Sequence, residues 1–457
     1  MQHLPDSVAA AELVLRGSRV LTPSGERAAV VAVRAGRISA VHPVGDPAAD
    51  TALASAHSTV ELAPDCVLLP GLVDSHVHVN EPGRTDWEGF ATATAAAAAG
   101  GITTLADMPL NCIPATVNLD ALELKKAAAT GQLAIDVAFW GGAVPGNRDE
   151  LQALHEAGVV GFKCFLLDSG VPEFPALNGA QLRAAMSVIA TFDGLLCVHA
   201  EDAATIEAAV APTGREYAQF LKSRPDQAEL VAIADLIVAV ELTGCRTHIV
   251  HLSSATALPM IARAKAAGLP LTVETCPHYL ALSAEQVPAG ATEFKCCPPI
   301  RSAANQELLW QGLAEGVIDS IVSDHSPCPI AAKRSGTGDC SAAWGGIASI
   351  QLGLPVVWRA AAARGLSLAE VARWMALAPA RLLNLPDRGE IAPGFRADLC
   401  VLAPEEVFVV EPGMLRQRSP LTPYLGSELL GVVRQTWLRG ELVLPDSRAG
   451  QFVLGGR

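Results

Sequence analysis

Apolar and polar positions alternate with a period of two along the chain before Pro70, in short runs broken by turn residues: ELVLRGSRVL, then RAAVVAVRAG, then RISAVHPV. Successive strand side chains point to opposite faces, so this alternation predicts an antiparallel sheet with one buried face. The same texture returns after Gly389 in GEIAPGFRADLCVLAPEEVFVV and GVVRQTWLRGELVL. The two chain ends are therefore expected to complete one small β-sandwich domain. Between them, short apolar strands such as VVGFKCFL, LLCVHAED and RTHIVHLSS alternate with Ala-rich helical stretches such as NGAQLRAAMSVIATFDG. Strand and helix alternating over roughly 300 residues predict an α/β fold, a parallel (β/α)8 barrel of the TIM type. The expected division is residues 1–66 for the N-terminal part of the small domain, 67–389 for the barrel and 390–457 for the C-terminal part of the small domain.

Composition narrows the partner class. The chain has 457 residues, half of them hydrophobic, enough to bury one large core and a smaller one. Its net charge of −14 comes without any Lys/Arg cluster, which argues against nucleic acid or an anionic membrane as partner. A small-molecule partner is expected. The apolar runs, CVLLPGLV among them, are far shorter than a spanning helix needs, and the acidic start MQHLPDSVAAAELVLRG does not have the order of a signal peptide. The 11 cysteines, scattered through apolar strands, predict reduced core thiols and a cytoplasmic location.

Candidate chemistry sits at the ends of predicted strands, where barrels of this type carry it. His76 and His78 follow CVLLPGLVD, Lys163 interrupts VVGFKCFL, His199 ends LLCVHAED, His251 ends HIVHLSS, and Asp324 ends SIVSDHSP. His-x-His on one strand directs both imidazoles to one face, where they can share a metal. Any one of these histidines alone reads more simply as a hydrogen-bonded structural group. That reading is kept for His3, His42, His57 and His155, in loops or helices. It is also kept for His248, which strand alternation sends to the face opposite His251. A free ammonium at Lys163 must either snorkel out or carry a large desolvation cost. Conversion by carbon dioxide to a carbamate would instead make it a bidentate anion able to bridge two divalent metals. Nitrogen and oxygen donors without a required thiolate suit zinc and its borderline neighbours Co2+, Mn2+, Fe2+ and Ni2+.

Taken in order, DSHVH, GFKCFL, VHAED, VHLSSA and SDHSP resemble the cyclic-amidase branch of the amidohydrolase superfamily, which holds dihydroorotases, hydantoinases and allantoinases. The resemblance implies a pair of divalent metals. His76, His78 and Asp324 would hold the more buried ion, His199 and His251 the more exposed one, and carboxylated Lys163 would bridge them. Dihydroorotases carry Arg two residues after the second histidine, where this chain has Asn80, and an amide offers no guanidinium fork to a substrate carboxylate. Hydantoinases place a Tyr shortly after the bridging Lys, whereas CFLLDSG follows Lys163. The segments HVNEPGRTDWEGF, DMPLNCIPAT, GFKCFLLDSGVPEFP, ETCPHYL, FKCCPPIR and SDHSPC resemble those of allantoinases.

The activity so implied is opening of the neutral hydantoin ring of allantoin to allantoate by a hydroxide shared between the metals, with Asp324 as general acid and base. Asn80, Asn111, Ser253, Cys297 and Arg301 are candidate substrate contacts, and a homo-oligomer is expected. Another cyclic amidohydrolase of dihydroorotase or hydantoinase type is the alternative. A non-catalytic homologue would have lost several ligands, and all six are present. Thr85 with Glu88 fits a capping box for the Ala-rich helix that follows Trp87.

Overall fold

The alternating N-terminal runs form β1 (Leu13–Thr22), β2 (Gly25–Arg34) and β3 (Arg37–Pro43), joined as antiparallel neighbours, followed by β4 (Ser58–Glu61) and β5 (Val67–Pro70) in the computed structural model, which describes residues 11–334 and 337–455. His3 lies outside the described residues. β1 forks: Leu13 pairs with Ser58 of β4, while Val20 pairs with Leu68 of β5.

Immediately after Gly71 the chain enters the barrel. Its strands are β6 (Leu72–Val77), β7 (Ile102–Asp107), β8 (Asp136–Phe139) continued by β9 (Gly141–Gly142), β10 (Phe162–Phe165), β11 (Leu195–His199), β12 (Arg246–Ile249), β13 (Leu271–Thr275) and β14 (Ser320–Ile321). Neighbouring strands are parallel, with helices such as Phe90–Ala99, Gly179–Ala190 and Asp226–Thr243 between them. A parallel bridge from Val77 to His325 closes the ring after β14. β6 is buried along its whole length, as a strand covered on both faces must be. β15 (Leu399–Val409), β16 (Glu428–Leu438) and β17 (Glu441–Leu442) return to the small domain. The sheet order is β17-β16-β15-β5-β1-β2-β3, so strands from both chain ends share one eight-stranded sheet. This is the expected sandwich-plus-barrel architecture.

Two details depart from the expected division. β5, counted with the barrel by its apolar run, pairs with β15 and β1 in the small domain's sheet. Beyond β17 the tail recrosses to the barrel, where β18 (Phe452–Val453) pairs with Val137 and Ala138 of β8. Both segments are too short for periodicity to say which sheet they join.

The capping box is not formed. The helix Phe90–Ala99 starts from Gly89 at φ +115° without a side-chain cap, and its first N–H is taken by Glu81, whose Oε2 accepts from Phe90 N at 2.8 Å. Glu88 is buried and bonds Thr92, Arg418 N and His325 instead. His57 is exposed, and His42 and His155 are partly exposed, the latter stacked on Phe192. All 11 cysteines are free thiols. No helix among the described residues is long and apolar enough to cross a membrane.

Candidate metal centre

Six side chains, from β6 and the residue just past it, from β10 and β11, and from the segments after β12 and β14, converge on one cavity of about 260 Å³. They are His76, His78, Lys163, His199, His251 and Asp324, joined in the wall by Asn111, Phe165, Arg224, Lys295, Cys297 and Trp344. The cavity opens at the C-terminal ends of the barrel strands. His251 and Asp324 stand at φ +39° and +43°, a left-handed backbone that costs energy and turns each side chain out of the strand's alternation.

Asp324 Oδ1 lies 3.3 Å from His76 Nε2 and 3.7 Å from His78 Nε2, and the ligand atoms of these three residues fall within 4.8 Å of one another. On the other side the His199 and His251 rings stand 4.5 Å apart, with His251 5.4 Å from His76. Lys163 lies in the same cavity. Its side chain is 1% exposed, so it does not snorkel, and its Nζ has no hydrogen-bond partner. The face of Phe165 lies 5.0 Å from it.

Ring tautomers are set from behind. Glu274 Oε1 accepts from His76 Nδ1 at 2.6 Å, leaving Nε2 with its lone pair toward Asp324. Glu201 Oε2 accepts from His199 Nε2 at 2.7 Å, leaving Nδ1 for the cavity, and Glu201 is itself paired with Arg224. Burial pushes the His78 and His251 imidazoles well below their usual range and His199 down to about 4, so all three are neutral and able to coordinate. Burial alone would raise Glu201, but Arg224 and His199 hold it at about 2, and Glu274 is held low against burial by His76 and His248. Burial raises the Asp324 carboxyl from its ordinary value.

These donors fit a pair of divalent ions. Four imidazoles and one carboxylate surround a buried amine with no partner of its own, and an unpaired ammonium in that place is costly.

His248 departs from its expected place. β12 ends at Ile249 and the backbone turns over before His251, so the parity count between the two residues fails. His248 is buried and donates from Nε2 to Glu274 Oε2 at 2.9 Å, so His248 and His76 grip the two oxygens of one carboxylate. Among the expected substrate contacts, Asn111 and Cys297 line the cavity, and the Asn111 amide lies 3.5 Å from His78 Nδ1. Asn80, Ser253 and Arg301 are turned away from it. Asn80 donates to Pro327 O, Ser253 Oγ donates to Pro299 O at 2.6 Å, and Arg301 is paired with Glu229 at 2.7 Å. Sequence reasoning missed Glu201, Glu274 and Arg224; an acid two residues after His199 was the available signal for the first, and nothing local marked the others.

The match to the model of the Amidohydrolase family covers residues 67–443. The chain is similar to the allantoinase of Streptomyces avermitilis, with 55% identity over 441 residues covering 96% of each. It is similar to the allantoinase of Saccharomyces cerevisiae, with 46% identity over 411 residues covering 87% of this chain and 88% of the other. Among solved structures, L-hydantoinase (dihydropyrimidinase) from Arthrobacter aurescens superposes with a TM-score of 0.89 at 29% identity, over 97% of this chain and 100% of that one. The conjunction of barrel, cavity and whole-length kinship places the chain in the amidohydrolase family, among the allantoinases.

Proposed function

We infer that this chain hydrolyses the ring amide of allantoin to give allantoate. The observation that carries this is the convergence of all six ligand-type side chains on one cavity, in a chain 55% identical to an allantoinase along its length. The family is metal-dependent, and His76, His78 and Asp324 form a cation-ready group. His199 and His251 would hold a second ion, with Lys163 as a carboxylated bridge. Two divalent cations, zinc by the donor set, supply Lewis acidity toward water and the ring carbonyl.

The rest is done by the protein's own groups. Asp324 accepts the proton of the attacking water as the C–O bond forms, then returns it to the ring nitrogen as the C–N bond breaks. Glu274 and Glu201 keep the lone pairs of His76 and His199 aimed inward through both steps. Asn111 and Cys297 contact the ureide, and Phe165 and Trp344 wall off bulk water. Asn80, Ser253 and Arg301 brace the loops behind this wall. Free thiols throughout the chain support work in the reducing cytoplasm, and we expect a homo-oligomer.

The test is turnover of metal-loaded protein on allantoin, dihydroorotate, dihydrouracil and hydantoin, with bound metal counted in the same sample. Allantoin-selective ring opening with about two ions per chain is expected. Preference for one of the other rings would replace the substrate, and absence of metal would end the hydrolytic reading.

A further inference from the structure

Among the described residues a second group able to hold a cation adjoins the first: Cys276, His278 and Asp324, with ligand atoms within 4.8 Å of one another. Cys276 follows the last residue of β13, and His278 lies in the short helix Pro277–Ala281 that begins there, so the turn sets both behind Asp324. Neither residue is reached by solvent. Both ring nitrogens of His278 lack a hydrogen-bond partner. Whichever tautomer it adopts, a neutral imidazole offers one donor and one acceptor, and leaving both unpaired inside a protein is expensive. A buried histidine in that condition points to a ligand. It is not needed for the two-ion centre, whose donors are accounted for without it.

We propose that Cys276, His278 and Asp324 form a site for a thiophilic divalent cation, and that filling it withdraws Asp324 from proton transfer and inhibits the enzyme. Thiolate, imidazole and carboxylate together favour Zn2+ or Cd2+ over Mg2+ or Ca2+, which prefer all-oxygen sites. On binding, the Cys276 S–H bond is replaced by an S–metal bond and one proton leaves to solvent. Asp324 lines the cavity, so the group is shared with the site above. The inhibitory half rests on Asp324 being the base proposed above; the site itself does not.

The experiment titrates metal-loaded, full-length protein with Cd2+. It follows the ultraviolet cadmium–thiolate charge-transfer band, counts bound cadmium and measures residual hydrolysis. Expected is a saturable band that persists in Cys297→Ser, disappears in Cys276→Ser and needs about tenfold more Cd2+ in His278→Gln, with turnover falling as the band grows. His278→Gln keeps the test alive should Cys276→Ser fail to fold. No band, or a band that survives Cys276→Ser, overturns the site. A Cys276-dependent band with undiminished turnover overturns the inhibitory half and the role of Asp324 as base.

Discussion

Lys163 is the residue on which the centre turns. A buried amine beside four imidazoles is a poor ligand as an ammonium and a good one as a carbamate, so Lys163→Ala is expected to lose most bound metal and all measurable turnover. A short-chain carboxylic acid added with metal should restore part of both by supplying the missing oxygens. Full metal occupancy in Lys163→Ala without added acid would refute the bridge. Glu274 acts one step further out, through the nitrogen of His76 that faces away from Asp324. Glu274→Gln keeps the shape but can present its amide N–H to His76 and to His248, and loses the charge that fixes the tautomer. Metal affinity is expected to fall about 10- to 100-fold, the usual cost of losing an outer-shell carboxylate, and an unchanged dissociation constant would sink this role.

At the scale of elements, the join between barrel and small domain is a buried charge network. Asp136, at the start of β8, accepts from Arg388 at 2.8 Å and from Arg439 at 2.7 Å, while Arg388 also pairs with Asp398 at 3.2 Å. Arg388 leads into the small domain's return and Arg439 follows β16, so one carboxylate at the base of a barrel strand ties down both. Gln451 N donates to the same Asp136, which brings the tail to β18. Breaking a buried pair from one side leaves the other charge uncompensated. Asp136→Ala is therefore expected to cost about 3–5 kcal/mol, read as a fall in urea midpoint with metal content unchanged. A variant as stable as the parent would show that the network is neutral.

For the whole molecule, the same neutral imidazoles that suit metals make the metal-free protein acid-sensitive. His199 is held at about 4, against 6.5 when unfolded, so between those values the unfolded chain binds more protons. Stability is therefore present above pH 6.5 and is lost as pH falls toward 4. Glu201, held at about 2 against 4.5, adds a loss of the same sign from pH 4.5 downward. The urea midpoint of metal-free protein should thus drop between pH 6.5 and 4, and a flat profile there would contradict neutral burial of His199. Bound metal should move the onset to lower pH, because protons must then also displace the ions.

Much of this was legible in the linear pattern. Period-two alternation marked both halves of the β-domain, strand–helix alternation marked the barrel, and polar residues ending apolar runs picked out the six side chains that line the cavity, because each of those signals is local and recurs within a few residues. What the linear pattern left open depended on distance. Glu274 and His248 come together with His76 across some two hundred residues of chain, and parity could not place His248 because a left-handed residue at His251 breaks the strand's alternation. Glu88 looked like a helix cap in sequence and became a buried partner of His325 and Arg418, since only folding brings the segments after β14 and β15 beside it. The sequence alone determined the elements and the ligand types; the tertiary structure decided which carboxylate holds which imidazole, because hydrogen-bond partners are chosen by proximity in space and not by spacing along the chain.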